Sequence, residues 1–479
     1  MSVAPIAVIV LAAGAGTRMK STTPKVLHQI GGRTLLGHVL AAAAPLAATH
    51  TVVVVGAGRE RVQAHISSID RSIRTVVQER QDGSGHATKV ALDSLADLDG
   101  TVVVLNADVP LLTAQTIAAF CDAHAEAGNA MTVLSAEVPN PRGLGRIIRE
   151  GARVTAIIED RDADELQLAI NEINAGVYAF DAHALTDALS KVTTGNSQGE
   201  QYLTDVLQIL VADGHPVGAH VIADYEQTLG CNDRLELAER GRMLNDRILE
   251  HWMRAGVTVL DPQTVWIDVD VELQPDVTLL PNVQLHGATR IDSGATVGPD
   301  STLIDTEVGP AATVIRTHAH LAVVGPGATV GPFAYLRPKA ILRENAKVGT
   351  FVEVKNGDIG AGAKVPHLSY VGDATIGEGT NIGAASVFVN YDGVNKHHTT
   401  VGKHCRMGSD NMYVAPITVG DGAVSGAGAV LRADVPSGAL AVSGGPQRNI
   451  EGWVVNNRAG TPAANAALAA QSQPRLGEQ

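Results

Sequence analysis

The chain has 479 residues, more than one ordinary core accommodates, so two or three domains are expected. Its formal net charge of −14 argues against a nucleic-acid partner, which would require a basic face. Aromatics are only 3% while glycines number 50, a balance that favours a long stretch of small repeated turns over aromatic-centred cores.

The apolar run Ile6–Ala13 has no basic segment before it and leads straight into a Gly-rich turn. It reads as a buried strand, not a signal peptide or a membrane span. Up to about residue 230, apolar runs at Ala7–Leu11, Val52–Val55 and Val102–Leu105 alternate with helical stretches such as Leu35–Leu46 and Thr116–Ala127. That alternation predicts a mostly parallel, Rossmann-like α/β sheet covered by helices. Ligands of such sheets sit at the carboxyl ends of strands, so the loops after Leu11 and Leu105 are the first candidate sites. From Asn232 to about Arg254 a single helix is predicted, with Leu237, Leu244, Ile248 and Trp252 near one face. It reads as a connector between domains.

After Val257 the period changes to six. One register runs Leu273, Leu279, Leu285, Ile291, Val297, Leu303; a second runs Val330, Leu336, Leu342, Val348, Val354; a third runs Val401, Met407, Tyr413, Val419, with Leu431 in phase after Ser425. This is the hexapeptide signature of a parallel β-helix, with one short strand per repeat and its aliphatic side chain pointing inward. The period breaks at Val389–Thr400, which predicts a protruding loop of the kind that carries function. The expected division is therefore 1–232, a linker helix at 233–253, the β-helix at 254–458 and a disordered tail at 459–479. The cysteines Cys121, Cys231 and Cys405 lie far apart, without CxxC or Cys/His spacing. Neither a disulfide frame nor a zinc site is indicated, and a reducing, cytoplasmic compartment fits.

The first chemical motif is Leu11–Met19, LAAGAGTRM, followed by Pro24-Lys25. Gly14 and Gly16 clear side chains from a turn where backbone N–H groups would meet phosphate oxygens, and Arg18 and Lys25 add positive charge, with Lys25 expected to be exposed. Met19 stands where a dinucleotide fingerprint needs its third glycine, and the Gly-Lys-Ser/Thr of a P-loop is absent here. The pattern resembles the sugar-nucleotide pyrophosphorylases. The resemblance implies that Leu11, Ala12, Ala13, Gly14 and Lys25 bind nucleotide, and that Gln78, Gly83 and Ser84 form the nucleobase loop. It further implies that Gly145, Glu159, Asn174, Tyr202 and Thr204 bind sugar, and that Asp108 and Asn232 hold Mg²⁺. Asn106-Ala107 precedes Asp108 where relatives often carry glycine, and Ser84 replaces a common threonine.

In the repeats, GPFAYLRP (Gly331–Pro338), FVEVKN (Phe351–Asn356), VPHLSYVGD (Val365–Asp373), NIGAA (Asn381–Ala385) and NYDGVNK (Asn390–Lys396) occur in order. With the first half, they resemble the bifunctional N-acetylglucosamine-1-phosphate uridylyltransferase/glucosamine-1-phosphate N-acetyltransferase family over nearly the whole chain except the tail. The resemblance implies a left-handed β-helix, His367 as general base, and catalytic charges on Lys25 and Arg18. Arg337, Lys355, Tyr370, Asn381 and Lys396 would bind the amino-sugar phosphate; Ala384, Asn390, Tyr391, Ser409 and Ala427 would bind acetyl-CoA. An Arg found near Gly444-Gly445 in some relatives is missing, leaving Lys403 or Arg448 as candidates for that CoA contact.

The activity implied is acetyl transfer from acetyl-CoA to glucosamine-1-phosphate, then uridylyl transfer from UTP to N-acetylglucosamine-1-phosphate, supplying UDP-N-acetylglucosamine for peptidoglycan and lipopolysaccharide-type polymers. A homotrimer, with no nucleic acid and no membrane span, is implied as well. The alternative is a single-activity pyrophosphorylase whose β-helix is regulatory.

Overall fold

The computed structural model describes residues 6–95, 98–196, 198–445 and 447–472. The chain forms two compact units, Met1–Pro332 and Phe333–Gln479.

The first unit opens with a mixed sheet of nine strands: β1 (Ala7–Ala12), β2 (His50–Val55), β3 (Arg74–Val77), β4 (Thr101–Asn106), β5 (Met131–Glu137), β6 (Arg146–Glu150), β7 (Arg153–Ile158), β8 (Glu172–Asp181) and β9 (Val217–Ile222). The main order is β9-β5-β8-β4-β1-β2-β3, with β6 and β7 paired off β8. β1 runs parallel to both β2 and β4, as alternation of strand and helix requires, whereas β8 runs antiparallel to both its neighbours in that order. Successive side chains of the central strands point to opposite faces. Ile9, Val54 and Val104 pack into one core layer, and Val10, Val53 and Val103 into the other. The strands are buried on both faces, which explains their unbroken apolar runs.

The predicted connector is a helix at Arg234–Arg254, N-capped by the Asp233 side chain. It does not stand free. Leu237 and Leu244 pack against a small core of Met19, Ile30, Leu35, Leu111 and Cys231, so the helix is docked onto the α/β domain.

From Thr258 this unit continues as short strands whose partners lie one coil apart in parallel register: Leu273 with Ile291, Leu279 with Val297, and Leu285 with Leu303. Three hexapeptides therefore make one coil of a left-handed parallel β-helix. Each of these aliphatic side chains is buried, and each is worth about 1.5–3 kcal/mol when removed from water. The corners demand positive φ. Asn282 (φ 60°) and Asp276 (φ 66°) supply it with the non-glycine residues that tolerate it best.

The second unit carries further coils. Val354 pairs with Val371, Val401 with Val419 and Tyr413 with Leu431. One coil is longer: Ile376 pairs with Val401, and the surplus is the loop between strands Val387–Val389 and Thr399–Val401. The predicted insertion falls there. The tail departs from expectation. Pro462–Gln471 forms a helix, with Pro462 in its first turn and the Thr461 side chain accepting from the Ala464 N–H. Alanine-rich composition, read as structureless, is good helix composition once capped. Residues 473–479 lie outside the described residues.

Candidate active sites

In the first unit, Leu11 of β1 pairs with Asn106 of β4, and the Ala107 N–H donates to the Leu11 carbonyl (3.1 Å). The Gly-rich turn and the Asp108 turn therefore leave the sheet side by side. They open a cleft of about 340 Å³ whose lining includes Leu11, Ala12, Ala13, Gly14, Lys25, Gln78, Gly83, Ser84 and Asp108. Gly14 has open space where a Cβ would stand, as expected for a backbone left free to meet a ligand. Gly16 has a different reason: its φ is +59°, and a Cβ there would lie 2.5 Å from the Lys25 Cβ.

Lys25 is not exposed as expected. Its side chain is 13% accessible, and its ammonium donates to Asp108 Oδ2 at 2.5 Å and Asn232 Oδ1 at 2.7 Å. The Arg18 guanidinium donates to the same Asn232 oxygen (2.9 Å). Asn232 comes from the far end of the domain. It is fixed because the Cys231 N–H donates to the Asp108 carbonyl (2.9 Å) and the Asn232 N–H donates to Glu236 on the following helix (2.6 Å). One carboxylate and one amide oxygen thus converge on a single cationic point. That donor set fits a divalent cation that takes one or two protein oxygens and completes its shell with phosphates and water.

Around the nucleobase loop, Gln78 is buried and donates to the Gly83 carbonyl (3.0 Å). Gly83 has φ +107°, and a Cβ would come 2.4 Å from the Gln201 carbonyl, so glycine is required there. Ser84 Oγ accepts from the Leu203 N–H (3.0 Å), tying this loop to the segment that carries Tyr202 and Thr204. Thr204 donates to Glu159 (3.4 Å), and the Asn174 N–H donates to the Gly145 carbonyl (2.9 Å). A register shift in β8 between Asn174 and Tyr178 turns Asn174 so that its amide donates to the Tyr178 hydroxyl (2.7 Å). Burial raises the Glu159 pKa, helped by the Asp162, Asp205 and Asp160 charges, while the Thr204 hydrogen bond opposes the shift. These sugar-side residues lie beyond the cleft lining and connect to it through Ser84. Glu200 also lines the cleft, and nothing in sequence singled it out; it arrives from a loop that only folding brings near Gly83.

In the second unit the candidates fall into two groups flanking one strand. The first is a column. The parallel bridges Lys364–Asn381, Asn381–Arg406 and Arg406–Val424 set a register in which His367, Ala384, Ser409 and Ala427 occupy equivalent places on successive coils. Asn381 belongs to that ladder, three residues before Ala384. The His367 side chain is exposed and makes no hydrogen bond to the described residues. The second group is a polar cluster. Arg337 donates to Glu353 (2.8 Å), Lys355 and Lys396 lie within hydrogen-bond reach of each other, and Asn390 reaches the Tyr370 hydroxyl (3.4 Å). Tyr391 does not join it; its hydroxyl donates to Gly393 within the loop (2.6 Å). Tyr370 lies between column and cluster, three residues after His367. Asp373, which no sequence signal marked, sits at the centre of the cluster and is buried.

A nucleotide cleft on an α/β sheet, with exposed chemistry on a hexapeptide β-helix, defines a two-domain transferase pairing nucleotidyl with acyl transfer. The description "MobA-like NTP transferase domain" matches residues 8–230. The chain is 59% identical to the bifunctional protein GlmU of Streptomyces avermitilis, over 99% of both chains. It is 58% identical to that of Kineococcus radiotolerans, over 98% of this chain and 96% of the relative, and 56% identical to that of Corynebacterium aurimucosum, over 97% and 96%. The chain belongs to the bifunctional GlmU family.

Proposed function

We propose that this chain makes UDP-N-acetylglucosamine in two steps, with residues 1–232 performing uridylyl transfer and 254–458 performing acetyl transfer. The observation that supports the first assignment is the convergence of Arg18, Lys25, Asp108 and Asn232 beside the Gly-rich turn. A phosphate oxygen of N-acetylglucosamine-1-phosphate attacks the α-phosphorus of UTP, the bond to the β-phosphate oxygen breaks, and pyrophosphate leaves. Arg18, Lys25 and backbone N–H groups neutralise the spreading charge, and no covalent enzyme intermediate is needed. Asp108 and Asn232 would hold Mg²⁺, whose contribution when bound is to neutralise phosphate charge. For acetyl transfer, the amine of glucosamine-1-phosphate attacks the thioester carbon, His367 takes its proton, the carbon–sulfur bond breaks, and the departing coenzyme A sulfur takes up that proton and leaves as the thiol. The column Ala384, Ser409 and Ala427 would carry the acetyl-CoA arm, and Arg337, Lys355 and Lys396 the sugar phosphate.

Two assays test the pair. Free thiol should appear when acetyl-CoA and glucosamine-1-phosphate are supplied together. Mg²⁺-dependent pyrophosphate release should follow from UTP and N-acetylglucosamine-1-phosphate. The second signal without the first would favour a pyrophosphorylase with a regulatory β-helix.

The second unit also presents Phe333, Phe351 and Leu368 as exposed apolar corners, with the two rings stacked at 5.3 Å. Such a patch supports self-association, and we assign a homotrimer. Light scattering of the purified protein should return three times the chain mass; a monomer at micromolar concentration would refute it. All three cysteines are free and buried, which supports a reducing, cytoplasmic compartment. Among the described residues no helix is long and apolar enough to cross a membrane.

Glu159 sets a pH dependence. Its carboxylate form is the one that accepts hydrogen bonds from sugar hydroxyls, and its pKa is raised. Uridylyl transfer, as kcat/KM for N-acetylglucosamine-1-phosphate, should therefore fall on acidification at a pH above the ordinary glutamate range. Glu159→Gln should lose that limb. A raised folded pKa contributes stability at low pH that is lost as pH rises through it, so the variant should also be at least as stable as wild type at pH ~8. An acid limb unchanged in Glu159→Gln would assign it to another group.

A further inference from the structure

Asp373 is a buried carboxylate on which three side chains converge. Asn356 donates to Oδ1 at 2.7 Å and Asn390 to Oδ2 at 2.5 Å, while the Lys355 ammonium stands 3.6 Å from Oδ2. The arrangement follows from the coil: parallel register sets Lys355 opposite Gly372, so Asn356 and Asp373 share the next corner, with φ of 46° and 47°.

Asn390 is also the root of the inserted loop. Its carbonyl accepts from the His397 N–H (2.8 Å), and a bridge between Tyr391 and Lys396 closes the loop above it. The loop returns Lys396 beside Lys355, and both amines feel the charge of Asp373, which Lys355 approaches to 3.6 Å. The charged and titratable groups facing this pair are Asp373, Tyr370 and Arg337, and Arg337 is itself held by Glu353.

We propose that Asp373 is a positioning residue of the acetyl-transfer site, holding Lys355 and, through Asn390, the loop that delivers Lys396, so that both cations meet the phosphate of the amino sugar. The inference rests on the assignment of acetyl transfer to this unit.

The electrostatics agree with the geometry. Burial opposes ionisation of Asp373, but hydrogen bonds from Asn356 and Asn390 and the two lysines outweigh it and hold the carboxyl below its usual range. Lys355 depresses the Lys396 pKa through hydrogen bonding and charge, and Asp373 partly restores it. Removing the carboxylate charge should therefore let Lys396 lose its proton at lower pH. Asp373→Asn keeps the size of the side chain, and an amide flip of Asn390 can still satisfy it, so charge is changed more than shape.

The experiment measures thiol release by the full-length wild type and by Asp373→Asn. KM for glucosamine-1-phosphate should rise on the order of tenfold, the usual scale for a lost charged hydrogen bond, with KM for acetyl-CoA changed less than about twofold. The alkaline rise in KM for the sugar phosphate should begin at lower pH in the variant, a shift that a merely structural role would not cause. A folded Asp373→Asn with unchanged sugar-phosphate KM and an unmoved alkaline limb overturns the proposal, as does an equal loss for both substrates. If Asp373→Asn does not fold, Asn356→Ala removes one donor and leaves the charge. It should raise the same KM about two- to fivefold, and an unchanged value overturns the proposal. Absence of thiol release from wild type would instead overturn the acetyl-transfer assignment.

Discussion

Asp108→Ala should reduce uridylyl transfer by on the order of 10³-fold or more while leaving acetyl transfer within about twofold of wild type. The loss has two physical parts. Asp108 is the only carboxylate of the pair that would hold the metal, and it also anchors the Lys25 ammonium at 2.5 Å. Without it Lys25 keeps only the Asn232 oxygen, and the cation is free to leave the line of attack. Acetyl transfer should survive because its candidate residues all belong to the other compact unit. Asp108→Asn is the companion variant: it keeps the size of the side chain and removes the charge, so it should lose nearly as much turnover with less change in melting temperature. Pyrophosphate release and thiol release, measured on the same preparations, decide the matter. Equal loss of both activities in a folded protein would sink the two-site reading.

His367→Ala should leave a folded protein with acetyl transfer lowered by roughly 10²-fold or more, the usual scale for losing a general base. Folding should be spared because the ring is exposed and carries no hydrogen bond to the described residues. The amine nucleophile must release a proton, and among the segments Val365–Asp373 and Asn381–Asn390 this is the one imidazole. Uridylyl transfer should be unaffected. A folded variant with a near-normal rate would move the role to a water held by the asparagines.

Asp373 and Lys25 owe their surroundings to contacts that no local stretch of sequence contains. In sequence Asp373 carries no sign of a role, because an aspartate between glycine and alanine is indistinguishable from a solvated corner residue. Its meaning comes from Asn356 and Asn390, each one coil away along the axis. Lys25 reads in sequence as an exposed phosphate-site cation, whereas the fold leaves its side chain only 13% accessible. Its partner Asn232 lies 207 residues away in sequence, and no local pattern joins them. The linker helix shows the same limit. Its amphipathic face was legible, but that Leu237 and Leu244 cover Ile30 and Leu111, rather than link two bodies loosely, was not.

Periodicity alone determined the two architectures of this protein. Unbroken apolar runs separated by helices can only be buried on both faces of a sheet, and a six-residue aliphatic period fits neither a helix nor a flat strand. Residue order and type at strand ends carry the family resemblance that implies the chemistry, since a Gly-rich turn with Arg18 and Lys25, and His367 among amides, are local facts. Tertiary structure alone decided how those groups meet: Arg18 and Lys25 on Asn232, Lys25 on Asp108, Ser84 on Leu203, and His367 in column with Ala384, Ser409 and Ala427. The reason is physical. Backbone periodicity is set by local sterics and burial, whereas convergence depends on register between strands a whole coil or a whole domain apart, which no window of sequence contains.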